Sequence, residues 1–111
     1  MTVKDLIDKN VFNVINTGED TTKEISTPYC CDLLSIAMSK APVNCAWVTI
    51  MGNINTLAVA TLTDAACVIL ADGVLLDEAA TAKLKTQNVT ILGTELPIFE
   101  AALKIHQFIN D

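Results

Sequence analysis

The chain has 111 residues, of which 51% are hydrophobic and 18% are charged, and its net charge at pH 7 is −6. A length of this order suits a single domain over residues 1–111 with one core. Nucleic-acid binding normally needs clustered basic residues that neutralise phosphates, whereas the seven basic residues here are all lysines, scattered along an acidic chain. The composition therefore argues against a nucleic-acid-binding protein.

The apolar content and the cysteines bear on location and assembly. The first residues lack the long apolar stretch of a signal peptide, and no apolar run approaches the ~20 residues that cross a bilayer. We therefore expect a cytoplasmic protein without membrane association, whose four cysteines are free thiols. Because the apolar share is high for so short a chain, we expect a homodimer that buries the excess apolar surface.

The first forty residues predict a helix, a strand and a second helix. Residues 2–9 have Thr2 at the N-cap position and Asp5 three residues later, which is typical of a helix start. Residues 11–15 are rich in β-branched and aromatic side chains and predict a strand. Apolar residues spaced by three and four predict a helix over residues 29–40.

The middle of the chain contains two apolar runs that predict buried strands, over residues 45–51 and 67–71. Between them, residues 57–60 predict a short strand or the start of a crossover, followed by a helical turn that ends at Ala66. A buried strand on each side of a compact crossover is typical of a small α/β core.

The last third predicts a helix over residues 77–87, a strand over residues 89–92 that ends at Gly93, and a helix over residues 97–110. Helices therefore alternate with short buried strands along most of the chain. This alternation predicts an α/β fold of three layers, with a small, mostly parallel sheet flanked by helices.

The polar segment after the first buried strand is the leading candidate for ligand contact, through Gly52, Asn53, Asn55 and Thr56. In open α/β sheets, ligands bind outside the carboxyl ends of the strands. A glycine there allows close backbone approach, and the other three side chains offer neutral donors and acceptors. The alternative is a turn whose Asn and Gly residues satisfy their own backbone.

Two further strand ends provide candidate ligand contacts, at Asp72 and at Gly93–Thr94. If the strands run parallel, these residues line the same sheet edge as Gly52. The ligand expected there is a small metabolite or a nucleotide. Because the chain contains no arginine, a phosphate would have to be bound by backbone N–H groups, lysine or neutral polar side chains.

The segment Cys30–Cys31–Asp32 lies at the start of the predicted second helix, and Cys31 and Asp32 are candidate ligand contacts. A helix dipole lowers the pKa of a thiol at this position, which would suit redox or metal chemistry. Alternatively, one cysteine faces the core and Asp32 serves the helix start. Since no C-x-x-C spacing occurs and His106 is the only histidine, we predict no catalytic, metal or cofactor residue.

Four segments carry a resemblance to a known family. Residues 29–35, 46–50, 57–62 and 91–94 resemble the small stand-alone DRTGG-domain proteins, which are similar to the N-terminal domain of bacterial HPr kinase/phosphorylase. The resemblance covers nearly the whole chain, although the naming pentapeptide and the kinase's phosphate-binding loop are absent from the sequence. It implies a three-layer α/β fold, often dimeric, that acts as a regulatory module without catalytic residues of its own.

Some stand-alone members of that family are associated with iron-only hydrogenase systems, so a redox-enzyme partner is among the partners that the resemblance implies. Together, residues and resemblance predict a non-enzymatic regulatory or accessory module that binds a small ligand at the strand ends. Two alternatives stay open: a cysteine-based redox or enzyme accessory protein, and a pure protein-interaction partner of an iron-only hydrogenase-type system.

Overall fold

The computed structural model describes residues 1–111 apart from the side chain of Lys85. The described chain contains five helices and five strands, which alternate except that the first two strands follow each other directly. In chain order they are α1 (Val3–Asp8), β1 (Asn13–Asn16), β2 (Pro28–Cys30), α2 (Leu34–Lys40), β3 (Ala46–Thr49), α3 (Ile54–Leu62), β4 (Cys67–Leu70), α4 (Glu78–Gln87), β5 (Ile91–Gly93) and α5 (Ile98–Asn110).

The five strands form one sheet in the order β1-β5-β4-β3-β2. Strands β2 to β5 are parallel to one another, and β1 pairs antiparallel with β5. Helices α1 and α5 pack on one face, and α2, α3 and α4 pack on the other. The predicted three-layer α/β architecture with a mostly parallel sheet is confirmed.

Alternation along the central strands assigns each side chain to one face. Val48 and Ile69 pack in the cluster beneath α1 and α5, whereas Trp47 and Val68 pack in the cluster beneath α2, α3 and α4. All four are buried. Both faces of the sheet are therefore covered, which is why β3 and β4 read as continuous apolar runs rather than as alternating patterns.

The first and last helices form as the sequence predicts. Thr2 and Asp5 make a capping box at the start of α1. In α5, Ala101 and Ile105 are buried against the sheet at helical spacing. With 13 residues α5 is the longest helix, and no described helix combines the length and hydropathy of a membrane span.

The helix predicted over residues 29–40 is wrong in its first part. Pro28–Cys30 form β2, which pairs in parallel with β3, and α2 begins only at Leu34. A three-residue strand is too short to show periodicity. Pro28 is tolerated because it is the first residue of an edge strand, where its missing N–H is least costly.

Of the two interpretations of residues 57–60, the short strand is wrong and the crossover is confirmed, because these residues lie inside α3, which connects the parallel strands β3 and β4. The helical turn predicted to end at Ala66 is also wrong, because α3 ends at Leu62. The helix buries Thr56, Leu57 and Ala60, which share one face at helical spacing. Its start is set by Asn53, whose side-chain Oδ1 accepts a hydrogen bond from the Thr56 backbone N–H at 3.0 Å. The cap and the buried face together stabilise the helix by more than the low helix propensity of the β-branched Val59 destabilises it.

Candidate functional site

The four parallel strands end at the same edge of the sheet, and the segments that follow them form a continuous surface there. We call residues 31–33, 50–53, 71–77 and 94–97 the carboxyl rim. The parallel arrangement confirms that the predicted strand ends share an edge. The predicted site residues on or next to this rim are Cys31, Asp32, Gly52, Asn53, Asn55, Thr56, Asp72, Gly93 and Thr94.

Asp32 joins the first two segments of the rim. Its Oδ1 accepts a hydrogen bond from the Thr49 hydroxyl at 2.7 Å and another from the Ile50 backbone N–H at 3.0 Å. The expectation that Asp32 serves the start of α2 is therefore wrong. The N-cap position of α2 is Leu33, whose apolar side chain cannot accept a hydrogen bond.

Gly52 joins the second segment to the third. Its carbonyl oxygen accepts a hydrogen bond from the Asp77 backbone N–H at 2.7 Å. A Cβ atom added at Gly52 would collide with the Leu75 carbonyl oxygen. Glycine is required here because two backbone segments approach each other too closely for a side chain to lie between them.

The third and fourth segments are joined through a tight turn. The Asp72 and Gly73 N–H groups donate to the carbonyl oxygens of Leu96 and Thr94, at 2.8 and 2.9 Å. Asp72 and Gly73 both have positive φ, of 56° and 69°, and the Val74 N–H closes the turn on the Ala71 carbonyl at 3.1 Å. This is the geometry of a type I′ turn, which favours the pair Asp-Gly.

Two polar side chains predicted to contact a ligand are engaged locally. Asn53 caps α3, and Thr56 is buried with its hydroxyl 3.4 Å from Asn53 Oδ1. These bonds match the alternative interpretation of the segment as a self-capping turn. Asn55, in the first turn of α3, is exposed.

A cavity of about 120 Å³ opens where the carboxyl rim meets β1. Gly93 faces Ile15 of β1 here, and a Cβ atom added at Gly93 would lie 3.0 Å from Ile15 Cδ1. The predicted residues Gly93 and Thr94 are brought together in this cavity. Its lining consists of Asn13, Ile15, Gly73, Val74, Leu75, Gly93, Thr94 and Glu95.

Asn13, Ile15, Val74 and Leu75 are lining residues that sequence reasoning missed. Asn13 and Ile15 reach the cavity because β1 pairs antiparallel with β5, which places Asn13 opposite Gly93. Such a pairing between residues far apart in sequence leaves no local pattern. A polar Asn13 within a strand of high β-propensity is the one signal that could have indicated a special position.

The charge of the carboxyl rim is negative. Its segments contain Asp32, Asp72, Asp77 and Glu95, all of which are exposed, and by sequence they contain no lysine. The N–H groups at the starts of α3 and α4 are partly satisfied by the side chains of Asn53 and Asp77. The rim is therefore better suited to a neutral or cationic group than to a phosphate.

The thiols of Cys30, Cys45 and Cys67 lie in surroundings that oppose ionisation. Cys30 belongs to β2 rather than to a helix start, and partial burial of its sulfur, together with the negative charge of Asp32, raises its pKa. The expected lowering by a helix dipole is thus wrong for Cys30. Burial raises the pKa of Cys45 to about 11 and that of Cys67 to about 12.

Cys31 is half-buried and packs beside the cluster that contains Trp47. Its thiol donates to the Leu33 carbonyl oxygen at 3.3 Å, and its own carbonyl oxygen accepts from the Trp47 indole N–H at 2.9 Å. Within the part of the chain that the structure describes, no three His, Cys, Asp or Glu side chains are grouped so that they could hold a metal ion.

A larger cleft of about 460 Å³ lies at the opposite edge of the sheet, beside the ends of α3 and α4. Several of its polar groups are already engaged. Lys23 Nζ lies 2.7 Å from Asp64 Oδ1, and the Thr90 hydroxyl oxygen accepts from the Gly18 N–H at 2.9 Å. These bonds fasten the connection between β1 and β2 to the rest of the fold, so we assign them a structural role.

A scan against protein-family models matches none of them to this chain, and a search of the curated proteins returns no match either. The relationship to DRTGG-domain proteins stays a prediction based on the four sequence segments. The functional proposal therefore depends on the geometry and chemistry of the carboxyl rim.

Proposed function

We propose that this protein is a non-catalytic regulatory or accessory module that binds a small polar metabolite at the carboxyl rim. The observation that carries the proposal is the cavity of about 120 Å³ at the ends of β4 and β5. Ligands of α/β proteins occupy this position because loops from several strands converge there. The resemblance to regulatory DRTGG-domain proteins supports the same conclusion.

The chemistry of the cavity favours a ligand that donates hydrogen bonds. The exposed side chains of Asn13 and Glu95 offer an amide and a carboxylate, and both can turn toward a bound group. A carboxylate attracts an ammonium group and repels a phosphate. Of the two ligand classes that the sequence suggests, a small metabolite with an amine or hydroxyl group is therefore favoured over a nucleotide.

The absence of catalysis is part of the proposal and has chemical support. His106 is exposed on α5, and its Nδ1 lies 3.4 Å from the Asn110 side-chain nitrogen on the same helix. The raised pKa of Cys30 opposes formation of the nucleophilic thiolate at neutral pH. The cysteine-based alternative is correspondingly weaker. An iron-only hydrogenase-type system remains the setting that the resemblance suggests for an accessory role.

We also propose that the module works as a homodimer. At least eleven large apolar side chains of the single chain are exposed, including Ile36, Met38 and Val43 in and after α2. Association would remove part of this surface from water. Sedimentation velocity at tens of micromolar protein should give the mass of two chains, and a stable monomer would contradict this part of the proposal.

Ligand binding is tested by titrating isotope-labelled protein with ethanolamine, putrescine and ATP and following backbone amide resonances. We expect the amines to shift Gly73, Gly93 and Thr94 in a saturable manner, and ATP to leave them unchanged. Glu95→Gln should weaken amine binding about tenfold, which corresponds to about 1.4 kcal/mol. The matched control Glu100→Gln, in the first turn of α5 outside the cavity, should bind like the wild type.

The opposite results would decide against the proposal. If the amines shift resonances over the whole acidic surface, or if both substitutions weaken amine binding equally, the amines are attracted by the net charge alone. If none of the probes shifts the cavity resonances at about 10 mM, tenfold above a Kd of about 1 mM, the cavity does not bind a small amine.

A further inference from the structure

Three of the four connections that follow the parallel strands each present one large apolar side chain to solvent, and the fourth leads into α5, whose first turn presents another. The four side chains are Leu33, Ile50, Leu75 and Phe99, with exposed fractions of 58, 42, 79 and 68%. The first three lie within the carboxyl rim, and Phe99 is in the first turn of α5, directly after it. Single exposed apolar residues are common, but one close to the end of each of four neighbouring strands, at a single sheet edge, is typical of an interaction surface.

The segments that present these side chains are joined to one another. Asp32 bonds to Ile50, Gly52 bonds to Asp77, and Asp72 bonds to Leu96. Every neighbouring pair of rim segments is thus connected by at least one hydrogen bond of 3.0 Å or less. A surface held in this way loses little conformational freedom when a partner binds, which favours affinity.

The charges beside these side chains indicate which charge a partner must carry. Asp32, Asp72, Asp77 and Glu95 are exposed on the same rim, and its segments contain no lysine. Two copies meeting rim to rim would place like charges together, and anionic lipid headgroups or nucleic-acid phosphates would be repelled as well. Lysine and arginine side chains of a different protein would complement the rim.

We propose that the carboxyl rim docks a basic segment of another protein, whose apolar side chains cover Leu33, Ile50, Leu75 and Phe99 and whose cationic side chains face the rim carboxylates. This inference goes beyond the small-ligand proposal and does not depend on it, because the exposed side chains lie largely outside the cavity. Leu75 and Glu95 belong to both the cavity and the docking surface, so they are the points at which ligand and partner would influence each other.

The test begins with a random peptide library displayed against the immobilised wild-type protein. We expect the enriched peptides to carry a net positive charge together with aromatic or aliphatic residues. An enriched peptide is then synthesised with a fluorescent label, and its Kd is measured by anisotropy. Failure to enrich any peptide, or enrichment of acidic or purely polar peptides, would overturn the proposal.

Variants locate the binding surface. Phe99→Ser should weaken binding of the selected peptide tenfold to a hundredfold, which corresponds to about 1.4–2.8 kcal/mol, because a large apolar side chain is no longer buried against the peptide. The matched control is Leu62→Ser, which removes an equally exposed apolar side chain at the far end of α3. Equal effects of the two substitutions would contradict docking at the rim.

A second pair of variants separates rim charge from overall charge. Asp72→Asn removes one rim carboxylate and suits the positive φ at this position, so the fold should be kept. Asp72→Asn should weaken peptide binding and reduce its salt dependence. Glu19→Gln, between β1 and β2, should change neither the affinity nor the salt dependence. If both substitutions weaken peptide binding equally, the affinity depends on the net charge of the protein rather than on the rim, and the proposal is wrong. The amine titration of the cavity is read independently of either result.

Discussion

Single residues of the carboxyl rim act mainly through bonds to residues distant in sequence. Asp32 is the clearest example, because its carboxylate accepts from Thr49 and Ile50, seventeen and eighteen positions further along the chain. Helix caps such as Thr2 and Asp5 are predictable, since both partners lie within four residues. A bond between two loops has no such local pattern, which is why the role of Asp32 was misassigned.

Replacing Asp32 with Ala should lower the free energy of unfolding by about 1–3 kcal/mol, because the buried Thr49 hydroxyl loses its acceptor. Asp32→Asn keeps a side-chain oxygen and should cost less. Urea denaturation measures both. Glu19→Ala, an exposed acidic control, should be nearly neutral. An Asp32→Ala protein as stable as that control would show that the bond contributes nothing.

The buried thiols of Cys45 and Cys67 should make stability depend on alkaline pH. Their pKa values in the folded protein are about 11 and about 12, above the ordinary 9.0. Below pH 9 both states hold these protons, so the contribution to stability is fully present there. As pH rises toward 11 and 12, the unfolded chain ionises first and stability falls.

Urea midpoints between pH 7 and 11 measure this effect. The double variant Cys45→Ala, Cys67→Ala should be less stable at pH 7, because it removes buried volume, but it should lose less stability on going to high pH. If stability falls with pH equally in the wild type and the double variant, the two thiols do not cause the pH dependence.

At the scale of secondary structure, the sequence predicts two kinds of element most accurately. These are helices with apolar residues at regular helical spacing and strands that are buried on both faces. α4, α5, β3 and β4 belong to these two kinds, and each is found close to its expected place. For α3 the sequence leaves a strand and a crossover open, because Val59 and its neighbours have mixed propensities, and the Asn53 cap decides for the helix. The prediction for β2 is wrong because three residues form a strand only once β3 lies beside them.

Asn53→Ala should destabilise the protein by about 1 kcal/mol, because the first turn of α3 loses its side-chain acceptor. Asn55→Ala, two residues further on and exposed, should be within about 0.5 kcal/mol of the wild type. Chemical denaturation followed by circular dichroism distinguishes the two. If the two substitutions cost the same, the cap is not what starts the helix.

At the scale of the whole molecule, the sheet order separates protected strands from exposed ones. β3 and β4 are central and buried on both faces, whereas β1 and β2 are edge strands. The class of fold follows from the alternation of elements along the chain. The antiparallel placement of β1 beside β5 does not, because it depends on contacts between residues more than seventy positions apart.

Hydrogen exchange should reflect this order. The backbone amides of Val48 and Ile69, in the central strands, should exchange only through global unfolding, whereas that of Cys30, in an edge strand, should exchange through local opening at lower free energy. Native-state exchange measured by NMR in increasing denaturant separates these two modes. Uniform protection across all five strands would contradict a core centred on β3 and β4.

The pairing of β1 with β5 has a consequence for synthesis. Asn13 leaves the ribosome some 80 residues before Gly93, its partner across the ladder. At a synthesis rate of about 5–20 residues per second, β1 lacks its pairing partner β5 for about 4–16 s. Until then the residues that line the cavity are not assembled, so a nascent polypeptide has no complete cavity before Gly93 has been synthesised.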